Sequence, residues 1–156
     1  MKKSEIQELQ NNASKEQVGR VIPTIAQHVL KELESRKEVD FSKVSIDGLP
    51  GSFNVVVSAS GAAMDAYVDY DSKADGDLTD YLAWIIESVI RMMSAEFKTG
   101  KVKENYVIYS LNNFFKKISL TLEKTKDCDK AAELLDIPAN EKMIKKVATI
   151  CDERIL

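Results

Sequence analysis

Aspartate is concentrated in one part of the sequence, and carboxylates bind cations, exchange protons and attract basic partners. Six aspartates fall within sixteen residues, with Lys73 as the one basic residue among them. They are Asp65, Asp69, Asp71, Asp75, Asp77 and Asp80. Residues 39–80 carry 8 acidic and 2 basic side chains (net −6), whereas residues 97–156 carry 9 acidic and 12 basic side chains (net +3). The overall net charge of −3 therefore conceals two regions of opposite sign.

Metal-binding and catalytic interpretations of this cluster have limited support. The segment that begins at Asp71 matches an EF-hand calcium loop at positions 1, 5, 6 and 8. Lys73 stands where a ligand oxygen belongs, and Leu82 replaces the bidentate glutamate at position 12, so a calcium site is not expected. Asp69 and Asp71 would lie about 7 Å apart on a strand, a separation that inverting hydrolases use. A metal-assisted hydrolase centred on this pair is one alternative.

A recognition surface is a further interpretation of the same residues. Asp65, Tyr67 and Asp69 alternate with other residues, so on a strand they would project from one side. An acidic surface with an embedded tyrosine suits the steering and docking of a basic protein. A solvated edge strand, protected from aggregation by its charges, explains the same pattern without any partner. Both interpretations stay open.

The chemistry outside the cluster excludes several classes of function. His28 is the single histidine, which excludes histidine-rich metal sites, and its place beside an apolar stripe predicts a partly buried structural residue. Cys128 and Cys151 are 23 residues apart and show no Cys-x-x-Cys spacing, which is typical of reduced thiols in a cytosolic protein. Phosphate-binding, dinucleotide-binding and nucleophile-elbow motifs are absent. We therefore predict no catalytic residue, no cofactor and no metal, and a protein that is not an enzyme.

Length and composition bound the remaining possibilities. The 156 residues suit one domain that covers the whole chain, with residues 1–13 expected to fray. The N-terminal lysines are followed by no apolar run, and no apolar run in the chain approaches the length that spans a bilayer, so we expect a cytoplasmic protein with no membrane segment. Lysine outnumbers arginine 18 to 4, which fits a bacterial or phage origin. Because arginine makes most specific base contacts, nucleic acid is not an expected partner.

The first third of the chain is predicted to form one helix followed by strands. A capping box at Ser14 and an apolar stripe of helical period predict a helix from Ser14 to about Arg36, bent at Pro23. The period then changes to two, which predicts three short strands in an antiparallel meander with one apolar face. The strand residues are Val44 and Ile46, then Phe53, Val55 and Val57, then Met64, Ala66, Val68 and Tyr70.

Helical patterns return in the rest of the chain. The strongest begins at Leu78, a short helix starts at Asp127 or Asp129, and Asn140 caps the last one. Residues 102–124 fit a helix with one apolar arc, and they also fit a hairpin at about 105–123. We favour the helix.

The predicted fold is α+β: a kinked N-terminal helix, a three-stranded antiparallel β-meander, and three to four helices packed on one sheet face. With the hairpin, the order becomes α-βββ-α-ββ-α. That order is similar to the architecture of type III secretion chaperones, which are also small, acidic and cytosolic. The resemblance is one of element order, and no sequence motif carries it.

Two aromatic residues point away from the predicted core. Trp84 and, in part, Tyr81 lie off the apolar arc of the helix that begins at Leu78. An aromatic side chain in such a place marks a second buried surface, such as a homodimer contact, or packs beneath a neighbouring segment. Both explanations are kept for this pair.

The function that we favour is a non-enzymatic binding protein of bacterial or phage origin. It would mask or inhibit a more basic partner through the acidic sheet-and-loop surface, as immunity and inhibitor proteins do. The residues expected at that surface are Asp65, Tyr67, Asp69, Asp71, Asp75, Asp77 and Asp80. A secretion-chaperone-like protein and a homodimeric accessory protein joined at Tyr81 and Trp84 are the alternatives.

Overall fold

The computed structural model describes residues 15–46, 48–98 and 111–155. The helices of this part of the chain are α1 (Lys15–Ser35), α2 (Gly51–Tyr67), α3 (Ser72–Asp75), α4 (Leu78–Lys98), α5 (Leu111–Thr125), α6 (Cys128–Leu135) and α7 (Glu141–Ile155). Two strands, β1 (Ser45–Ile46) and β2 (Leu49–Pro50), form one antiparallel pair with Ser45 opposite Pro50. Helices hold 79% of the described residues, so the predicted α+β fold is wrong.

The helices that the sequence predicts from large apolar residues are confirmed. Helix α1 contains Pro23 within it, and α4 begins at Leu78 as expected. Asp127 caps α6, because its Oδ1 accepts hydrogen bonds from two backbone amides at 3.0 and 3.3 Å. Asn140 caps α7, with its Oδ1 3.1 Å from the backbone nitrogen of Met143. Caps of this kind satisfy amides that have no partner within the helix.

Helix α2 replaces most of the predicted meander. Its buried residues recur every three or four positions: Gly51, Asn54, Val55, Ser58, Ala59, Ala62, Ala63 and Ala66. Nearly all of them are small, which allows neighbouring helices to approach closely. Phe53, Val55 and Val57 alternate with other residues, which is the pattern of a strand. The small residues of the same segment instead follow the helical period. The second and third predicted strands are therefore wrong, since most of their residues lie in this one helix.

Gly51 stands where the short hairpin meets the first turn of α2. A Cβ added to Gly51 would lie 2.7 Å from the Cβ of Val44, and the Gly51 amide donates to the Val44 carbonyl oxygen at 2.7 Å. Gly61, in the middle of α2, would meet nothing within 4 Å. The backbone of the hairpin is thus held directly against α2, and only glycine leaves room for this contact.

The segment with two competing interpretations is helical where it is described. The predicted helix is confirmed over Leu111–Thr125, and the hairpin at about 105–123 is wrong for residues 111–123. Residues 102–110 lie outside the described residues. The buried face of α5 is formed by Phe114, Phe115 and Ile118, as the helical period of the apolar residues predicts. The described residues do not show the α-βββ-α-ββ-α order, on which the resemblance to secretion chaperones depends.

Helix α4 forms the centre of the core. Twelve of its residues are buried. It packs on α1 and α2, while α2 also contacts α5, and α5 packs on α6 and α7. One contiguous hydrophobic cluster runs from Val18 in α1 to Cys151 in α7. Because α4 covers the inner sides of α1 and α2, the outer sides of these two helices form part of the molecular surface.

Candidate functional site

The aspartate-rich segment connects the end of α2 to the start of α4. Asp65 and Tyr67 lie in the last turn of α2, Asp71 precedes α3, and Asp80 lies in the first turn of α4. Residues two apart on a helix are separated by about 200°, so Asp65 and Tyr67 do not share a face. The prediction that these residues project from one side of a strand is therefore wrong.

Two of the aspartates act as helix caps. Asp71 Oδ1 accepts a hydrogen bond from the Lys73 amide at 3.0 Å, at the start of α3. Asp77 Oδ1 accepts one from the Asp80 amide at 3.1 Å, at the start of α4. A negative charge is favoured at a helix N-terminus, where amides lack partners. Local structure thus accounts for part of the acidic charge.

Asp75 has a partner from the far end of the sequence. Its side chain is only 4% exposed, and its Oδ2 lies 3.1 Å from Nζ of Lys146 in α7. The same oxygen accepts a hydrogen bond from the Asp71 amide at 2.8 Å. The side chain of Lys146 is 23% exposed. Asp75 is therefore part of the fold and presents almost none of its carboxylate to a partner.

Tyr81 and Trp84 are both buried within the chain. The Tyr81 hydroxyl donates to the Ala66 carbonyl oxygen at 2.7 Å, and Trp84 Nε1 donates to the Pro138 carbonyl oxygen at 3.0 Å. These bonds join α4 to the end of α2 and to the turn between α6 and α7. Tyr81 and Trp84 therefore pack beneath neighbouring segments of their own chain, and the homodimer contact stays an untested prediction.

The geometry offers no support for a metal-assisted hydrolase. Within the described ranges, no group of three or more His, Cys, Asp or Glu side chains could hold a metal ion. Asp69 and Asp71 line neither of the two cavities described below. Asp71, moreover, is occupied in capping α3. A hydrolase centred on Asp69 and Asp71 stays an untested alternative.

The histidine and the cysteines show no sign of nucleophilic chemistry. The His28 side chain is 73% exposed and lies 3.4 Å from Oε1 of Glu32, so the predicted partial burial is wrong. Cys128 and Cys151 are both free thiols. Burial, with a smaller contribution from Glu141, raises the pKa of the Cys128 thiol above its usual value. A reactive cysteine requires the opposite shift.

An apolar groove lies between α1 and α2. The end of α1 lies beside the start of α2, because Glu34 and Ser52 line the same second cavity. The early part of α1 lies beside the later part of α2, because a Cβ on Gly19 would lie 3.6 Å from Sδ of Met64. The two helices are therefore antiparallel, with the end of α1 beside the start of α2. The groove has a volume of about 660 Å³. Its apolar wall is formed by Pro23, Leu30, Phe53, Val56 and Val57.

Two of these wall residues are unusually exposed for their size. Phe53 is 54% exposed and Val57 is 39% exposed. They are one helical turn apart, so they stand on the same side of α2. An exposed aromatic residue beside an apolar depression is a common feature of surfaces that bind other molecules.

The rim of the groove is polar and carries both signs of charge. Gln27, Lys31, Glu34, Ser52 and Ser60 complete the lining. Lys31 and Glu34 are both exposed and lie one turn apart on α1. Glu34 also borders the adjacent cavity of about 330 Å³, which is lined by residues of the hairpin such as Ser45 and Pro50. An apolar floor with a polar rim is the usual anatomy of a protein interface.

No protein-family model, curated protein or solved structure matches this chain. The function has to be argued from the chain's own residues. Among the described residues, no helix combines the length and apolar character that crossing a membrane requires. Among the described residues, we take the groove between α1 and α2 as the candidate binding site.

Sequence reasoning missed both the groove and a buried charge. The alternating pattern assigned Phe53 and Val57 to the apolar face of a sheet, whereas both stand on the surface. Arg91 was not singled out, yet its side chain is only 15% exposed and lies 3.2 Å from Glu38 and 3.3 Å from Glu87. Arg91 joins α4 to the segment after α1. Its position four residues after Glu87, off the large-apolar face of α4, is the signal that could have identified it.

Proposed function

We propose that this chain is a non-enzymatic protein-binding protein whose interface is the groove between α1 and α2. The observation that carries the proposal is the exposure of Phe53 and Val57 beside an apolar depression of about 660 Å³. Covering these side chains would remove apolar surface from water, which is the main driving force of protein association. The polar rim would then set the orientation of the bound partner.

The length of the groove indicates the size of the bound element. From Pro23 to Glu34, α1 rises about 16 Å, which is three helical turns. A helix of about three turns that presents apolar residues one turn apart would fill this length. Phe53 and Val57, themselves one turn apart, would pack against two such residues.

Site-specific cross-linking in the cells that produce the protein tests this proposal. A benzophenone amino acid is placed at position 53, in the groove, or at position 134, where Leu134 is 60% exposed on α6. We expect a discrete adduct with another protein chain from position 53 and none from position 134. Val57→Asp, which puts a charge into the apolar wall, is expected to abolish the position-53 adduct. Equal labelling at both positions, or an adduct that survives Val57→Asp, would refute the proposal.

The acidic segment is the second candidate for a binding function, with a basic protein as the partner. Asp71 and Asp80 are exposed, and residues 39–80 keep their net charge of −6. Exposed charges of one sign act on association rates more than on the stability of a complex. This candidate concerns a different surface from the groove.

Binding of an oligolysine peptide at low salt tests the second candidate. The paired substitution Asp69→Asn and Asp80→Asn is expected to weaken binding several-fold, because it removes two charges from the acidic segment. Glu123→Gln with Glu133→Gln removes two exposed acids from the basic C-terminal region and is the matched control. Equal weakening by both pairs would show that only net charge matters, and that the acidic segment is not a site.

A further inference from the structure

We infer that Gly61 is the position at which a helix of a partner protein packs closely against α2, with an uncharged face turned towards it. This inference rests on the proposed function and extends the interface along α2, beyond the residues that line the groove. It is carried by the open space at Gly61, by the row of residues to which Gly61 belongs, and by the charge of α2.

Among the glycines that the structure describes, only Gly61 combines an ordinary backbone conformation with open space beside it. Gly48 and Gly76 have a φ of 79°, and a Cβ on Gly51 would collide with Val44. Gly61 lies in the interior of α2, and a Cβ added there would meet nothing within 4 Å. Glycine destabilises the interior of a helix relative to alanine, because it loses more conformational freedom on folding. The fold of this chain alone therefore gives no reason for glycine at position 61.

Gly61 continues the row of exposed residues that borders the groove. Phe53, Val57 and Gly61 follow one another at intervals of four residues, so they lie on the same side of α2. Rows of this spacing are the ones along which helices of globular proteins most often pack. A helix that covers Phe53 and Val57 along this row also covers Gly61, where the missing side chain lets the two backbones approach closely.

The charge of α2 indicates the chemistry of the partner. Asp65 is the one charged residue among the 17 residues of this helix, although 30% of the whole chain is charged. A helix that is uncharged on all sides is typical of a buried position, yet Phe53 and Val57 are exposed. A charged side chain pressed against this row would lose water and find no counter-ion on α2 between residues 51 and 64. The complementary surface is therefore an uncharged face of the partner helix.

Ser60, the residue before Gly61, also lowers stability without a visible return. It lines the groove, and its hydroxyl oxygen is buried with no hydrogen-bond partner in the part of the chain that the structure describes. An unpaired buried polar atom costs free energy. Proteins retain residues that cost stability where an activity depends on them. Ser60 and Gly61 thus identify the same turn of α2 as part of the interface.

Substitutions at position 61 are tested with two measurements that should change in opposite directions. Gly61→Ala is expected to raise the Tm of the full chain by about 1–4 °C, because alanine favours a helix and its Cβ has room. The same substitution is expected to lower the yield of the position-53 cross-link about tenfold, because the added Cβ forces the partner backbone away. Gly61→Leu is expected to abolish the cross-link while the chain stays folded. Circular dichroism during thermal unfolding measures the Tm.

Gly19→Ala is the matched control. Gly19 lies in the interior of α1, and its added Cβ would make an ordinary contact with Sδ of Met64 at 3.6 Å, within the same chain. This variant is expected to raise the Tm by a similar amount and to leave the cross-link yield unchanged. Equal loss of the cross-link from Gly19→Ala and Gly61→Ala would overturn the inference, because the yield would then not depend on contact at Gly61.

Mass spectrometry of the position-53 adduct tests the chemistry of the partner. We expect the cross-linked peptide to come from a helix of another protein, with uncharged residues three or four positions apart on its contact face. A peptide from a strand or a loop, a charged contact face, or a peptide from a second copy of this chain would overturn the assignment.

The outcomes distinguish this inference from the proposed function. If Gly61→Ala leaves the cross-link yield unchanged while Val57→Asp abolishes the adduct, the inference fails and the proposed function stands. If position 53 gives no more adduct than position 134, both fail.

Discussion

Lys146→Met is expected to lower the free energy of unfolding by about 3 kcal/mol. The substitution leaves the carboxylate of Asp75, which is only 4% exposed, without its counter-ion. Removing one partner of a buried ion pair costs about 3–5 kcal/mol, because the other charge stays away from water. We expect the lower end of this range, since the Asp71 amide still donates to Asp75 at 2.8 Å. Urea unfolding monitored by circular dichroism measures the loss.

The neighbouring lysine provides the control for this prediction. Lys145 forms an ion pair with Glu141 at 2.7 Å, but the two side chains are 63% and 68% exposed. Water screens such a pair, so Lys145→Met is expected to cost no more than about 0.5 kcal/mol. The double variant Lys146→Met with Asp75→Asn should be more stable than Lys146→Met alone, because no buried charge remains. Equal losses from Lys145→Met and Lys146→Met would show that burial of Asp75 contributes nothing.

The sequence predicts the helices that bury large apolar side chains and misses the one that buries small ones. Helix α4 has Leu82, Ile85, Ile86 and Val89 on one face, so its period is plain in the sequence. The packing face of α2 is mostly alanine and serine, whose burial depends on how closely neighbouring helices approach. A hydrophobicity pattern gives these residues little weight. The large residue Phe53, which dominated the strand prediction, is on the surface.

The candidate site depends on pairings that sequence spacing does not contain. Asp75 and Lys146 meet only because α7 packs near the α2–α4 connection, and Lys146 looked like one of many surface lysines. The groove likewise requires α1 and α2 to lie antiparallel, and the strand prediction removed α2 altogether. Capping, by contrast, is a local property. The sequence therefore identified Asn140 as a cap and Asp127 as one of two candidates, because the partners of a cap are only two or three residues away.

Trp84→Ala is expected to lower the free energy of unfolding by about 3–5 kcal/mol. The indole is 8% exposed, and its loss leaves a cavity between α4 and the turn before α7. The Pro138 carbonyl oxygen also loses its donor. Trp84→Phe keeps most of the apolar volume but not the hydrogen bond, so a smaller loss of about 1–2 kcal/mol is expected.

Phe53, an exposed aromatic residue on α2, provides the control for the Trp84 prediction. Phe53→Ala is expected to change the stability of the monomer by less than about 1 kcal/mol, because Phe53 is 54% exposed. The same substitution should weaken binding of a protein partner at the groove, whereas Trp84→Phe should leave that binding unchanged. Phe53, which the alternating pattern placed on the apolar face of a sheet, is thus a surface residue, whereas Trp84 is a core residue. Unfolding is measured by urea titration. A Trp84→Ala loss no larger than that of Phe53→Ala would contradict the core position of Trp84.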